Sequence, residues 1–386
     1  RLSLVGSEMC IRDSFRDYYS LRGFLDQSFN QLENVMVMDN WENGRAFVGL
    51  FADEMATTDN SSAVFTLHSG NWLSNAKSNK TFEIGNAGST AISRSYKALR
   101  INNRIINDID KAPLTPEQKN EILGQAYFYR SWFYFQVIKR YGGMPIIDKV
   151  FEGGDDDIPR MTYHESHDWM MEDIQKAIYM LPDSWDDPNY GRPTKIAAMA
   201  LKEWAQLFDA SPLMQNDLNS TENKGYDTER AKSAAKSAYE VIRYMDGSKS
   251  APYPYGLASK EEYTNVFYFK YPPVHQPEYI WVKRQFPNAA NQNQKRTIRT
   301  FWQYEDLAFG SGPDGNSMCC PSLNIVNMFD KKGADGIYYP IDDPRSGYAL
   351  DYAHKPFEDR DPRFYNNILL PGTTWGHYAD GRTLSL

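Results

Sequence analysis

The sequence predicts a mainly α protein built from helix pairs, with long loops and minor β-structure. Helix start and stop signals recur along the first 250 residues, and the apolar residues between them are three or four positions apart. Further on, prolines and aromatic residues replace this spacing. Successive helices of this size are typical of a TPR-like α-solenoid, here with loops lengthened unevenly.

The first well-marked helix runs roughly from Ala87 to Asp110, because its apolar residues share one helical face. The next begins at Thr115, which can cap a helix. Pro116 suits the first helical position, and Gln118 completes a capping box. We therefore expect two consecutive helices joined by a short loop.

The second of these helices contains the aromatic run "FYRSWFYFQVIKRYGGMPII". Its apolar residues form two neighbouring stripes at helical spacing, which indicates a wide buried face in contact with more than one partner. Gly142 and Gly143 end the helix, and Pro145 prevents it from resuming. We interpret these rings as packing residues. The stripes are Ile122, Ala126, Tyr129, Phe133 and Val137, and Leu123, Tyr127, Tyr134, Ile138 and Tyr141.

Three further helices follow the same rules. Thr162 and Glu165 form a second capping box, and the helix that they open ends at Pro182. Thr194 caps the segment "KIAAMALKEWAQLFDA", and Asp227 begins another helix. We assign residues 14–250 to a TPR-like helical region. We assign residues 251–386 to a loop-rich region with short strands, among them "PEYIWVKRQF", packed on the helices.

Composition excludes several classes of protein. Hydrophobic residues make up 41% of the 386, enough for a sizeable core. A net charge of −8 argues against nucleic-acid binding, which needs clustered Lys and Arg. No apolar run in the sequence approaches the roughly 18 residues of a membrane span. Cys10, Cys319 and Cys320 form neither a disulfide framework nor a CxxC metal spacing.

The start of the chain, "RLSLVGSEMCIRDS", does not fit the rest of the sequence. It lacks the charged and then apolar regions of a signal peptide, and the residues before Cys10 are not those of a lipid-attachment site. We predict that residues 1–13 are a non-native leader, similar to translated sequencing adapter. On this interpretation the native N-terminus and its targeting signal are missing.

Motifs for metal binding, cofactor binding and catalysis are incomplete. His164 and His167 in "HESH" are three residues apart, whereas the zinc-protease motif needs four. The glycines of "FGSGPDG" enclose Pro313 and open no helical pattern, unlike a dinucleotide-binding loop. Neither a pair of hydrolytic carboxylates nor a GxSxG elbow can be assigned. We expect no metal, no cofactor and no enzymatic activity.

Five segments together resemble the SusD/RagB family in order and spacing, across nearly the whole chain after residue 14. The segments are "QAYFYRSWFYFQVIKRYGGMPII", "IPRMTYHESHDWMMEDIQKAIYMLP", "GRPTKIAAMALKEWAQLFDASPLMQN", "PSLNIVNMFDKKGADG" and "DRDPRFYNNILLPGTTW".

The resemblance implies a cell-surface outer-membrane lipoprotein on TPR-like helix pairs, held in the membrane only by a lipid anchor. Such proteins bind nutrients, usually oligosaccharides, and sit as a lid on a SusC-like TonB-dependent transporter barrel. They are not enzymes. The family's lipidated cysteine is absent, and its closing helical segment would follow Leu386. We therefore expect a fragment truncated at both ends.

Aromatic residues off the helical stripes are the predicted ligand contacts, since sugar rings stack on Trp and Tyr while polar side chains bond the hydroxyls. Two loop regions, "HSGNWLSNAKSNK" and "RTIRTFWQYEDLAFG", carry this mixture, and the resemblance places ligand contacts in comparable regions. The predicted contacts are Asn71, Trp72 and Asn75, and Arg299, Trp302 and Tyr304.

Three alternatives remain open from the sequence. The first is capture of peptides by the same architecture, which would rely on backbone-directed hydrogen bonds more than on ring stacking. The second is a TPR-like scaffold without a small ligand, and the third is an enzyme.

Overall fold

The computed structural model describes residues 13–32, 37–38, 46–47, 52–57, 91–151, 157–215, 225–250, 254–263, 266, 276–283, 319–351, 355–370, 374–377 and 383–385. Contacts group the chain into two units. Arg1–Glu33 and Gly88–Gln285 form the helical unit, and Asn34–Ala87 and Phe286–Leu386 form the loop unit. The division predicted after residue 250 stays a prediction.

The helical unit contains six long helices in the described ranges, and consecutive helices from α2 to α6 pack against each other. A short 3₁₀ turn, Ile109–Lys111, extends α2. The helices are α1 Tyr18–Phe29, α2 Ala91–Asp108, α3 Pro116–Tyr141, α4 Tyr163–Met180, α5 Lys195–Ala210 and α6 Thr228–Gly247.

The helix boundaries confirm the signals in the sequence. Thr115 and Gln118 form a complete capping box at α3, and Thr162 and Glu165 form another at α4. The Thr194 hydroxyl accepts a bond from the third residue of α5. Each cap satisfies amide N–H groups that the helix itself leaves without an acceptor.

Helix α3 is the centre of the core. Both predicted stripes are buried except for Tyr127, which is half-buried, and Tyr141, which is exposed. The aromatic run is therefore a packing surface, as predicted. Helices α2 and α4 flank α3, so its two stripes meet two different partners.

A buried charge lies within this core. The Arg130 guanidinium on α3 makes two bonds of 2.6 and 2.8 Å to the Asp173 carboxylate on α4, and a third of 2.9 Å to Asn103 Oδ1 on α2. The Asn103 amide donates to the carbonyls of Ile147 and Lys149, at 2.9 and 3.0 Å. The network thus joins three helices and the connection that follows α3.

That connection needs two glycines. Gly142 has a backbone φ of 78°, a conformation that residues with a Cβ atom rarely adopt. A Cβ at Gly143 would lie 2.0 Å from the carbonyl oxygen of Met161. The chain can therefore turn at the end of α3, where Gly143 lies against the residues that immediately precede α4.

The loop unit contains four two-stranded antiparallel sheets within its described residues. The pairs are β1 Val37–Met38 with β2 Ala46–Phe47, β3 Met55–Thr57 with β4 Cys319–Pro321, β5 Lys331–Lys332 with β6 Tyr338–Tyr339, and β7 Thr374–His377 with β8 Thr383–Ser385. Its described residues also form three short α-helices: α7 Leu323–Asn327, α8 Tyr348–Asp351 and α9 Pro362–Asn367.

Arg360 anchors the described part of the loop unit. This side chain is 1% exposed, and it donates to the carbonyls of Pro356, Val326 and Phe329 at 2.6 to 3.0 Å. The Phe364 ring lies 4.9 Å from the guanidinium. Arg360 thus joins α7 to the turn that precedes α9.

The structure confirms the predicted fold class: mainly α, with helix pairs, long loops and minor β-structure. One detail is wrong. Residues 277–283 of "PEYIWVKRQF" form no strand. The Tyr279 hydroxyl donates to the Val266 carbonyl and the Trp281 ring packs on Phe128, and no strand within the described residues pairs with this segment.

We predict that Asp173→Asn destabilises the protein by about 3 kcal/mol, because it leaves the Arg130 charge buried without a counterion. The free energy of unfolding from urea titration measures this effect. Glu229→Gln is the control, since it removes one carboxylate from a pair with Lys232 that is 68% and 81% exposed. Equal effects of the two substitutions would contradict a structural role for the buried pair.

Candidate functional site

A cleft in the helical unit combines aromatic and uncharged polar side chains. It lies between the α4–α5 loop and two later segments, around residues 254–255 and 276–282. The described residues that line it are Ser184, Trp185, Tyr190, Gly191, Arg192, Thr194, Pro254, Tyr255, Gln276, Pro277, Tyr279, Ile280, Trp281 and Val282.

The α4–α5 loop forms one wall. The loop begins where Pro182 follows the last turn of α4, and it ends at Thr194, the cap of α5. The Trp185 indole N–H donates to the Pro193 carbonyl at 2.8 Å and so closes the base of the loop. Gly191 takes a φ of 98°, which allows the reversal before α5.

Arg192 connects this loop to the core. Its guanidinium forms a fork with the Asp26 carboxylate of α1, at 2.8 and 2.9 Å, and donates to Gln125 Oε1 of α3 at 2.9 Å. Because α1 and α3 belong to the packed helices, the loop takes its position from the scaffold.

Trp281 forms the opposite wall. Its indole N–H donates to the Gly191 carbonyl at 3.0 Å, which joins the two walls directly. The ring packs edge-on against Phe128 and Trp132 of α3, with both centroid separations 4.9 Å. Trp281 is only half-buried, so part of the ring is left to the cleft.

Two tyrosines supply hydroxyl groups beside these walls. Burial raises the pKa of Tyr255, and the nearby Asp183 carboxylate raises this pKa further. Burial likewise raises the pKa of Tyr279, helped by the charge of Glu278. Both phenols are therefore neutral at physiological pH. The Tyr279 O–H donates to the Val266 carbonyl at 2.7 Å.

The arrangement can bind a ligand that has both apolar faces and hydroxyl groups. Both indole N–H groups already donate to backbone carbonyls, so the two tryptophans contribute ring surface. Among the described lining residues no side chain is a carboxylate. These residues therefore offer no acid–base pair for hydrolysis.

The six residues predicted as ligand contacts lie outside the described residues, and their roles stay predictions. They are Asn71, Trp72, Asn75, Arg299, Trp302 and Tyr304.

Sequence reasoning missed the aromatic residues of the α4–α5 loop, although the same signal was present there. Trp185 and Tyr190 stand between the end of one helix and the cap of the next, off any helical stripe. Trp281 has two roles, since it packs on α3 and also lines the cleft.

A second polar cluster lies where α4, α5 and α6 meet. His164 Nδ1 and Asp209 Oδ1 are 2.7 Å apart, and His167 Nδ1 and Asp168 Oδ1 are 2.9 Å apart. The Arg230 guanidinium bonds both Asp168 and Asp209. The hydrogen bond from His167, together with Arg230, lowers the pKa of Asp168.

This cluster has ligand atoms of the types that bind metal ions. Arg230, however, already supplies a cation to both carboxylates. Glu165 of "HESH" belongs to the capping box of α4, as predicted. We interpret the cluster as an ion-pair network between helices, and the expectation of no metal stays a prediction.

The helix pairs place the protein in the class of mainly α, TPR-like proteins. A family model described as "Starch-binding associating with outer membrane" (SusD-like) matches residues 20–203. The SusD-like protein P38 of Formosa agariphila is 28% identical over 102 residues, which are 26% of this chain and 20% of that protein. Over the matched residues the chain is similar to the SusD/RagB family.

Solved structures show the same fold. A SusD-like protein from Bacteroides fragilis aligns with a TM-score of 0.66 and 22% identity, over 97% of this chain and 64% of that one. A SusD-like carbohydrate binding protein from the same species gives 0.61 and 18%, over 93% and 61%. The chain thus spans less than two thirds of these relatives.

Within the described residues, no helix is both long enough and apolar enough to span a membrane.

We predict that zinc ions leave the melting temperature of the protein unchanged, because Arg230 neutralises the carboxylates that would bind them. Differential scanning fluorimetry with zinc chloride, and separately with EDTA, measures this. A saturable rise in melting temperature that His167→Ala abolishes would instead identify a metal site.

Proposed function

We propose that this protein captures oligosaccharides at the cell surface and delivers them to a partner TonB-dependent, SusC-like transporter in the outer membrane. The observation that carries the proposal is the cleft between Trp185 and Trp281, with aromatic walls and uncharged polar groups on rigid supports. The description of the family as starch-binding supports the same ligand class.

The chemistry of the cleft suits sugars. A pyranose ring has C–H faces that pack on aromatic rings, and hydroxyl groups that both donate and accept hydrogen bonds. Trp185, Tyr190 and Trp281 supply rings, while Ser184 and Gln276 supply polar groups. The walls are tied to the helices, so a ligand pays little of the cost of ordering them.

The six loop residues predicted from the sequence belong to the same proposal. Trp72 and Trp302 would stack on sugar rings, and the neighbouring Asn71, Asn75, Arg299 and Tyr304 would bond hydroxyls. These contacts are proposed in addition to those of the cleft.

The proposals for the transporter partner and for the location rest on similarity to the family. The family model describes association with the outer membrane. We propose a lipid anchor as the attachment in the full-length protein. Co-purification of the full-length protein with a β-barrel transporter tests this part separately from ligand binding.

We further propose that the protein binds glycans without cleaving them. Glycoside hydrolysis needs two carboxyl groups held about 5 to 9.5 Å apart across the bound sugar. None of the described lining residues supplies one.

The first test of the proposal is isothermal titration against a panel of plant, host and microbial oligosaccharides. We expect Trp185→Ala to weaken the binding of any ligand by about tenfold, equivalent to about 1.4 kcal/mol, because the ring contact is lost. Trp72→Ala and Trp302→Ala should also weaken binding.

Tyr179→Ala is the matched control, since this ring is 84% exposed and does not line the cleft. Equal affinities of the wild type and Trp185→Ala would remove the cleft from the proposal. Binding of peptides and of no glycan would favour the peptide-capture alternative. Binding of neither class would favour a scaffold without a small ligand.

A second test concerns catalysis. Prolonged incubation with each glycan that binds should release no reducing ends above the level of a heat-denatured control. Release that follows the concentration of folded protein would establish an enzyme instead.

A further inference from the structure

We propose that the cleft selects uncharged glycans and discriminates against glycans that carry carboxylate or sulfate groups. This inference rests on the function proposed above and specifies its ligand class. It follows from how the charged groups in and around the cleft are paired.

Arg192 is the one charged side chain among the described lining residues. An arginine in a binding cleft usually indicates an anionic ligand, because its planar fork matches a carboxylate or sulfate. Here the Asp26 carboxylate already occupies that fork, at 2.8 and 2.9 Å. The Arg192 side chain is 13% exposed, so a ligand would have to displace Asp26 to use its charge.

The other polar lining groups are neutral. Ser184, Thr194 and Gln276 carry hydroxyl or amide groups, and Tyr255 and Tyr279 carry phenols. Such groups exchange hydrogen bonds with sugar hydroxyls, but they cannot compensate the desolvation of an ionised ligand.

Three carboxylates lie on or beside the segments that line the cleft, those of Asp183, Asp186 and Glu278. Asp183 accepts a bond from the Tyr244 O–H at 2.6 Å and pairs with Lys195 at 3.0 Å. The Glu278 carboxylate accepts a hydrogen bond from the backbone N–H of Ala258 at 3.0 Å, and this donor is neutral. Asp186, in the α4–α5 loop, adds another exposed acidic group. These carboxylates would repel an anionic ligand as it approaches the cleft.

The pairing of Arg192 with Asp26 identifies Asp26 as the residue that sets the selectivity. Replacing Asp26 by asparagine removes the negative charge that Arg192 neutralises, and preserves the size of the side chain. Arg192 would then present an uncompensated positive charge to the cleft. The variant should therefore accept anionic glycans that the wild type rejects.

The experiment compares maltoheptaose with its C6-oxidised form, in which glucuronate units replace glucose units. If another neutral oligosaccharide of the panel binds better, that oligosaccharide and its oxidised form are used instead. We expect the wild type to bind the neutral ligand at least about tenfold more tightly. In Asp26→Asn the ratio of the two dissociation constants should move towards one, and the gain for the oxidised ligand should decrease with added salt.

Glu229→Gln is the matched control, because it makes the same change in net charge at a side chain that does not line the cleft. It should leave the ratio of dissociation constants unchanged. Circular dichroism establishes that each variant is folded. The comparison of the two ligands in the wild type needs no variant and decides the inference by itself.

The outcomes separate the two proposals. Equal or tighter binding of the oxidised ligand by the wild type overturns the inference of selectivity but leaves glycan capture intact. A ratio that is the same in the wild type and Asp26→Asn overturns the role of the Arg192–Asp26 pair. Binding of neither ligand, and of no other neutral glycan in the panel, overturns both proposals.

Discussion

The pairing of Arg130 with Asp173 is the interaction on which the arrangement of the helical unit depends. The apolar stripes of α3 favour burial against two neighbours, but apolar contact is non-directional and tolerates several registers. A guanidinium that is 4% exposed must instead find acceptors at fixed positions. Asp173 on α4 and Asn103 on α2 supply them, and Asn103 extends the network to the chain that follows α3. The buried charge thus selects one relative position of these elements.

A small number of contacts fix the walls of the cleft to the packed helices. Helix α3 provides Gln125 for Arg192 and the rings on which Trp281 packs, while α1 provides Asp26. The end of α4 and the start of α5 fix the two ends of the intervening loop. The aromatic walls are therefore parts of the scaffold that reach the surface. A cleft of this kind is preorganised, because the same contacts that bury the core also orient the rings.

The sequence predicts the features whose causes are local. Capping boxes at Thr115 and Thr162 depend on residues three positions apart, so the helix starts could be predicted. The partners of the buried charges could not, because Arg130 and Asp173 are 43 residues apart and no periodicity pairs them. The strand assigned around Trp281 failed for a related reason. Alternating residues indicate two different environments, and here the indole N–H of Trp281 finds its acceptor 90 residues away in the sequence, while no strand in the described part of the chain pairs with this segment.

The charge of a binding site has the same non-local origin. In the sequence, Arg192 is a cation in a loop beside aromatic residues, a pattern that favours an acidic ligand. In the fold, a carboxylate 166 residues earlier in the chain pairs with it, so the loop carries a neutral unit. Because a paired guanidinium and carboxylate act as a dipole and carry no net charge, we propose that acidic groups beside the cleft, such as Asp183 and Glu278, set the sign of its electric field. The proposed selectivity therefore depends on which helix supplies the counterion, and α1 has this role here.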